Sequence, residues 1–457
     1  MPVPEIDEQL GIGTYLTDTL GIGGVIKQSV DDFTVEEILV DGSKATIEAA
    51  ESRALGASSD RQRYLLCVLV KRNWDTFIAL KNIAKQLCIS QRQIYIAGIK
   101  DAKAVTAQHL TIEHGSVKDT ARIKAKDIEL RSVGYVREAL SLFYLLGNSF
   151  TVKITAIHHP TEAIREQVSE TMKQLEAAGG LPNFFGHQRF GTTRPITHLV
   201  GKAMVKGDLE EAVMLFLAKP SANEHPDSRQ ARQELQSTGN FKAALKNFPR
   251  QLRFERLMLA RLAENSGDFA GAFRRLPLRL LVLFVQAFQS YLFNRFLTER
   301  IRNGFCLNRA QVGDWVVSVE RSGLPMINVA KMVEENNLND INESVQARRL
   351  RVALPIVGAK QRFSQGIMGQ IERQVLEEEG VETENFKASA LPELGRRGGL
   401  RAVVAPVKGF QLLDVSPRTD DDRWCDATLE FTLLRGCYAT VLLREIMKPA
   451  DPVGAGF

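Results

Sequence analysis

The hydrophobic period of this chain changes twice along its length, and that limits the architectures open to it. Up to about Pro182, short β-branched and apolar runs alternate with helix-like stretches; from Asn183 to about Leu400 apolar residues recur mainly at helical spacing; after Arg401 strand-like runs return. Periods of two and of 3.6 bury different kinds of face, so the two textures belong to different layers. The expected fold is α+β, with 1–182 and 403–457 joined in one mixed domain and a mostly helical insertion over 183–402. At 457 residues the chain has room for two or three domains, each with its own core.

Within the first part, Val25 to Lys27 and Phe33 to Val40 read as short strands with the Asp31-Asp32 pair turning between them, and Arg63 to Val70 as a third. Asp75 is placed to cap a helix whose apolar face is Phe77, Ile78, Leu80, Ile83, Ala84 and Leu87. Ser90 and Gln93 repeat the capping pattern before a strand at Ile94 to Ile96. The polar loop Gly98-Ile99-Lys100-Asp101-Ala102-Lys103 follows, and a second extended run starts near Gln108. Thr161 begins a helix that Gly179-Gly180 closes. Two Gly-Ile-Gly triplets between Gly11 and Gly24 lack the strand, third glycine and helix of a dinucleotide site, and read as loops. Near the end, strands are expected at 403–407, 411–415 and 427–434.

Composition removes several function classes. Residues Met1 to Leu10 lack a basic stretch followed by an apolar one, so no signal peptide is expected. The apolar run from Leu280 meets Gln286, Gln289, Ser290 and Asn294 too early for a membrane span, and reads as a buried helix. Five cysteines without C-x-x-C spacing point to a reducing, cytoplasmic setting, and seven histidines without ligand spacing give a metal site no support. Neither a G-x-S-x-G elbow nor a P-loop is present. With 59 basic against 54 acidic residues the net charge of +5 permits an RNA partner without requiring one. The arginines do cluster, at Arg250, Arg253 and Arg256, at Arg274 and Arg275, at Arg348, Arg349 and Arg351, and at Arg396, Arg397 and Arg401, although solvated helix faces would cluster them too.

That leaves the loop around Asp101, a carboxylate between Lys100 and Lys103 on a connection between two strands. As spacing alone, Gly-x-Lys-Asp occurs in many solvated turns. The full run Gly98 to Gln108, however, resembles the signature of the TruD family of tRNA pseudouridine synthases. Five further segments resemble that family's landmarks in the same order: Lys27 with Asp32-Phe33-Thr34-Val35-Glu36-Glu37; Gly147-Asn148-Ser149-Phe150; Asn183 to Gly191; Gln289 to Asn294; and Gly436-Cys437-Tyr438-Ala439-Thr440 with Arg444-Glu445. The family usually has Lys or Arg directly after the aspartate and serine at the position of Cys437, whereas this chain has Ala102 and moves the charge to Lys103.

The resemblance implies a pseudouridine-synthase-like mixed, mainly antiparallel sheet flanked by helices, a tRNA substrate with uridine 13 of the D-arm as target, no cofactor and no metal, and an archaeal-type member. It implies Asp101 as the catalytic carboxylate, attacking the sugar or removing a sugar proton, with Lys27 or Arg444 holding it charged and aimed. Phe33 and Tyr438 would wall the flipped uracil, Asn148 would bond its edge, and Phe150, Lys100, Lys103, Gln188 and Arg189 would line the site. The competing reading of Phe33, Phe150 and Tyr438 is core packing. The rival functions are an RNA chaperone of the same fold without catalysis, a synthase for another tRNA or rRNA uridine, and an unrelated hydrolase. No protein partner is implied, and the sequence leaves the oligomeric state open.

Overall fold

Strand Tyr64–Arg72 is apolar on consecutive residues because both its faces are covered: Leu65, Leu66, Cys67 and Leu69 are all fully buried. It lies near one side of the main sheet. The computed structural model describes residues 2–49, 54–418 and 423–457. In chain order the strands are β1 (Val25–Ile26), β2 (Phe33–Leu39), β3 (Tyr64–Arg72), β4 (Ile94–Ile96), β5 (Val105–Glu113), β6 (Ile128–Val136), β7 (Leu145–Ile157), β8 (Leu181–Pro182), β9 (Trp315–Val319), β10 (Pro325–Met332), β11 (Leu350–Ile356), β12 (Gly399–Ala402), β13 (Val404–Ala405), β14 (Val407–Pro417) and β15 (Cys425–Leu434).

Nine of them form one sheet in the order β14-β15-β7-β2-β5-β3-β6, with β1 on β7 and β4 on β5. Among the described residues only the β2–β5 pair is parallel, so the fold is α+β with a mainly antiparallel sheet. Alternation along β2 sends Phe33, Val35 and Glu37 to one face. The register sets Val35 beside Phe150 on one side and Thr106 on the other, Phe150 beside Phe431, and Thr106 beside Lys71. That face carries helix Thr76–Leu87 over β3, β5 and β6, where Asp75 caps it by accepting from the Ile78 N–H at 3.0 Å. Helices Thr161–Ala177 and Ala439–Met447 share an apolar cluster with Phe33, Val35, Phe150 and Phe431 on the other half. The row at Val35, Thr106 and Lys71 lies between the two sets of helices.

Beyond β8 the chain builds a helical region from Thr197 to Arg302 and then departs from the sequence expectation. The stretch read as helical up to Leu400 contains a four-stranded antiparallel sheet, β10-β9-β11-β12. Its strands Trp315–Val319 and Leu350–Ile356 pair with each other across an intervening helix, Leu338–Gln346, so their pairing is set by tertiary contact. The chain returns where it left: Pro182 pairs with Val404 and Leu181 with Ala405. Among the described residues, Leu278–Arg302 is the one helix long and apolar enough to cross a membrane, and 67% of its apolar window is buried inside the protein. Its polar residues are used internally: Asn294 donates to Leu10 O and Phe185 O, and Arg300 pairs with Asp314.

The two Gly-Ile-Gly loops are close-approach points. Gly11, at φ +75°, lies against Tyr291 O of the long helix, and Gly21, at φ +81°, lies against Met447 O at the end of the last one. A side chain at either position would meet backbone within 3 Å.

Candidate active site

The loop from Gly98 to Ala104 is held by buried polar groups from three neighbouring elements. The Gln108 side-chain amide donates to Gly98 O at 3.1 Å, and the Thr76 hydroxyl donates to Lys100 O at 3.1 Å while accepting the Lys100 N–H at 3.3 Å. Lys71 donates to Asp101 O at 2.6 Å. The Lys100 ammonium turns into the protein and meets Glu37 at 2.6 Å, with 3% and 0% of the two side chains exposed. Glu37 also accepts the His109 N–H at 2.9 Å. Burial opposes ionisation of Glu37, but His109 and the Lys100 ammonium outweigh it and hold the carboxyl below its usual range. A backbone fixed at Gly98, Lys100 and Asp101 leaves the Asp101 side chain little freedom in where it points.

That side chain is 36% exposed, and its Oδ1 lies 3.3 Å from the Lys27 ammonium. Lys27 adopts a left-handed backbone, φ 60°, and its Nζ stands 4.3 Å from the centre of the Phe33 ring. Lys71 approaches from the opposite strand. Burial pulls its ammonium down to about 8, with the Asp101 charge opposing that shift. Asp101 thus sits above the sheet face at Phe33, Thr106 and Lys71. Farther along the face, Asn148 pairs in register with Glu37, and its Oδ1 is buried without a hydrogen-bond partner, as are Thr106 Oγ1 and Gln108 Oε1. Buried polar atoms left unpaired are costly in a native protein and mark a place where a bound polar edge would be welcome.

The structure therefore brings together Asp101, Lys27 and Phe33 from the sequence reading, with Lys103 exposed on the same loop and Asn148 farther along the sheet face beside Glu37. It separates others. The Lys100 side chain turns away from the Asp101 carboxylate and pairs with Glu37 inside the protein. Phe33 is 2% exposed and packs against the Lys27 ammonium and the edge of Phe150, which itself stacks on Phe431 at 5.3 Å. Lys71, Thr76 and Glu37 were not assigned roles from sequence. The one available signal was a lysine ending the apolar run of β3.

Arg444 stands apart from Asp101. Its side chain, 2% exposed, pairs with Asp7, donates to Thr14 O at 2.9 Å, and lies 3.9 Å over the Tyr15 ring. Asp7 also takes His187 at 2.7 Å; burial opposes its ionisation, and Arg444 and His187 hold the carboxyl below its usual range. Neighbouring Glu445 accepts the N–H groups of Leu16 and Thr17 and the Thr17 hydroxyl. The Arg-Glu pair fastens the N-terminal segment to the last helix.

Gln188, Arg189 and Tyr438 meet at a junction between that helix, the 183–191 segment and the long helix. Gly186 fits where a Cβ would come within 2.8 Å of Thr440 Oγ1 and 3.1 Å of the Tyr438 ring. The Thr440 hydroxyl donates to Gln188 at 3.1 Å. Arg189 donates to Ser290 at 3.1 Å and to Gln286 at 3.3 Å. Tyr438 packs edge-on to Phe185, over which the Arg401 guanidinium lies at 4.0 Å while bonding to Asn183 and Gly436. Among the remaining arginines, Arg256 is occupied with Leu245 O and Phe248 O and Arg274 with Glu393. Arg351 lines two cavities, of about 710 and 250 Å³, and burial lowers its pKa. Among the described residues no three His, Cys, Asp or Glu side chains come together in a way that would hold a metal ion.

The same geometry is matched by known proteins. The family model described as tRNA pseudouridine synthase D (TruD) matches residues 9–446. A probable tRNA pseudouridine synthase D of Methanosarcina barkeri is 39% identical over 99% of both chains, and one of Thermococcus onnurineus is 37% identical over 95% of this chain and 97% of that one. The crystal structure of a putative tRNA pseudouridine synthase D from Methanosarcina mazei superposes with a TM-score of 0.83 at 38% identity, covering 99% of this chain and all of that one. A carboxylate carried in this way over a sheet of this order, with those likenesses, puts the chain among the RNA pseudouridine synthases. Within that class it belongs to the TruD family.

Proposed function

We propose that this protein converts a uridine of tRNA to pseudouridine, with uridine 13 in the D-arm as its target and Asp101 as the catalytic carboxylate. The observation that carries the reading is the presentation of Asp101: a part-exposed carboxylate beside the Lys27 ammonium, on a loop whose backbone is fixed by buried groups. The reaction breaks the C1′–N1 bond, turns the uracil within the site and joins C5 to C1′; the proton lost from C5 is balanced by one gained at N1. It is an isomerisation, and neither an oxidant nor a cofactor enters the balance. A carboxylate serves either by bonding to C1′ and leaving again or by removing a sugar proton, and the Lys27 ammonium stands beside it for both. The unpaired Asn148 Oδ1 supports a role in holding the uracil edge. Lys103 is exposed beside Asp101 and takes the phosphate-contact role at the position shifted by Ala102.

The division into a catalytic domain, 1–182 with 403–457, and an insertion, 183–402, belongs to the same proposal; the pairing of β8 with β13 at the two crossing points supports it. So does a cytoplasmic setting, in which the five free cysteines would remain thiols. The experiment is tritium release from tRNA transcripts labelled at uracil C5, with wild type and Asp101→Ala side by side and base-resolution mapping of the product. Release by wild type alone, mapped to uridine 13, is expected. Tight tRNA binding with no release by either protein would replace this reading with the chaperone one, and release mapped elsewhere would change the target.

A further inference from the structure

Two cavities meet at one arginine that the fold leaves unanswered. Arg351, on β11, lines both the cavity of about 710 Å³ and the one of about 250 Å³. The residue is half-buried, and its guanidinium makes no hydrogen bond or ion pair with any described residue. Burial pushes its pKa down and the neighbouring Arg348 charge adds to that, with only the Cys437 thiol opposing the shift. A cation drawn out of water without a carboxylate to answer it is a cost to the folded protein, and an anion arriving from outside would relieve it.

The surroundings are of the same sign. Of the described residues lining the two cavities, four are arginines, Arg348, Arg351, Arg401 and Arg435, and the one acid is Glu176. Arg401 donates to Asn183 O at 3.0 Å and to Gly436 O at 2.8 Å, and Arg435 donates to Leu142 O at 2.7 Å. Those carbonyls fix the two side chains and neutralise neither. The smaller cavity begins where β15 ends: Leu433 pairs with Asn148, and residues 434–437 line the cavity next. The larger one lies between helix Thr161–Ala177 and β14 on one side and helix Leu338–Gln346 and β11 on the other. A free guanidinium presents a flat fork of donors that matches two phosphate oxygens. A phosphodiester continues into a sugar on each side, and Arg351 has a hollow on each side. Met172, Leu350 and Phe410 give the larger hollow apolar walls against which a ribose or base can lie, and a free phosphate ion has no use for them.

We propose that Arg351 binds a backbone phosphodiester of the RNA substrate, with the nucleotides on either side of that phosphate in the two cavities. The inference rests on the reading of tRNA as the substrate. The test measures Kd for the tRNA transcript across a range of salt concentrations, with kcat and KM for pseudouridine formation, in wild type, Arg351→Met and Arg351→Lys. With Met, Kd and KM are expected to rise about tenfold, the equivalent of one charge-assisted hydrogen-bonded contact. The slope of log affinity against log salt is expected to become shallower by about one, and kcat at saturating tRNA to stay at the wild-type value. Lys is expected to keep the slope and recover part of the affinity, since an ammonium carries the charge without the fork. The denaturant midpoint of Arg351→Met is expected to match or exceed that of wild type, because the guanidinium holds no other described group in place.

Equal slopes in wild type and Arg351→Met would overturn the proposal, as would a slope in Arg351→Lys as shallow as in Arg351→Met. A lower midpoint in Arg351→Met would make the arginine a support of the fold instead. Inorganic phosphate is the second arm: if it stabilises wild type and not Arg351→Met while both bind tRNA with the same slope, the site belongs to a free anion. A wild type that binds tRNA and makes no pseudouridine would sink the synthase reading, and the slopes would still decide this one.

Discussion

The Asp101 loop and the Asp7–Arg444–Glu445 junction are assembled from the same materials, acids and bases in family signature segments, yet they are left in opposite states. At the junction every charge is buried and answered: Arg444 by Asp7 and a carbonyl, Glu445 by three donors. In the loop the buried charges, Lys100 with Glu37 and Lys71 on the backbone, serve to leave one carboxylate part-exposed with the Lys27 ammonium against it. A signature residue whose hydrogen-bonding capacity is used up within the fold is architecture; one held in place by others and left partly free is available for chemistry.

That contrast can be broken in four ways, and the largest effect is expected at Asp101. Asp101→Asn should lower turnover on the order of 10⁴-fold or more, while its part-exposed position keeps the stability change within about 0.5 kcal/mol. A rate near wild type in that variant would remove Asp101 from the chemistry.

Arg444→Met should do the reverse. Leaving Asp7 buried and unpaired costs about 3–5 kcal/mol in urea unfolding, with turnover of the folded fraction retained. Its pH dependence has a definite sign. Asp7 is held below its ordinary 3.8, so its stabilisation is complete above that value and is lost as pH falls through the lower folded value. With Arg444 gone, burial drives the Asp7 pKa up, so the gap between wild type and variant should narrow as pH falls through the variant's raised value and on through the lowered wild-type one. A variant of full stability and no turnover would show that Arg444 acts in the reaction after all.

Lys100→Met lies between the two regions in character. It strands Glu37 in the interior, at a cost near the lower end of the same range, about 3 kcal/mol, and it loosens the residue next to Asp101, so both unfolding and turnover should suffer. Loss of stability with an unchanged rate would mean that Thr76 and Gln108 suffice to fix the loop.

The smallest effect is expected at Lys71. Lys71→Met should slow turnover about tenfold, the equivalent of one positioning hydrogen bond. Because its folded value near 8 lies below the ordinary 10.5, the cost of burying its charge is present in full below pH 8 and fades toward 10.5. Wild type should therefore gain stability relative to Lys71→Met across that interval, as read by denaturant midpoints.

The sequence reading succeeds where the cause is local. Asp75 caps its helix through a contact three residues away, and the alternation along β2 is visible in Phe33, Val35 and Leu39 themselves. Asp101 stands out in the sequence only because the resemblance marks it. Nothing near Lys100 distinguishes it from Lys103, since its partner Glu37 lies 63 residues earlier, and Arg444 looked like a cation free to serve Asp101 because Asp7 is 437 positions away. Strands β9 and β11 escaped for the same reason: each is short, and what makes them strands is each other.

The strap formed by the first residues has a consequence for how the chain comes to be folded. Leu10, Gly11 and Gly13 dock on Asn294 and Thr298, and Asp7, Thr14, Leu16 and Thr17 on Arg444 and Glu445. On the ribosome the strap emerges hundreds of residues before the last helix that anchors it, so over that stretch of synthesis Asp7 lacks the Arg444 guanidinium. Closing a contact over such a span is slow, and the last helix performs two closures at once, completing its own packing and fixing the strap laid down hundreds of residues before it.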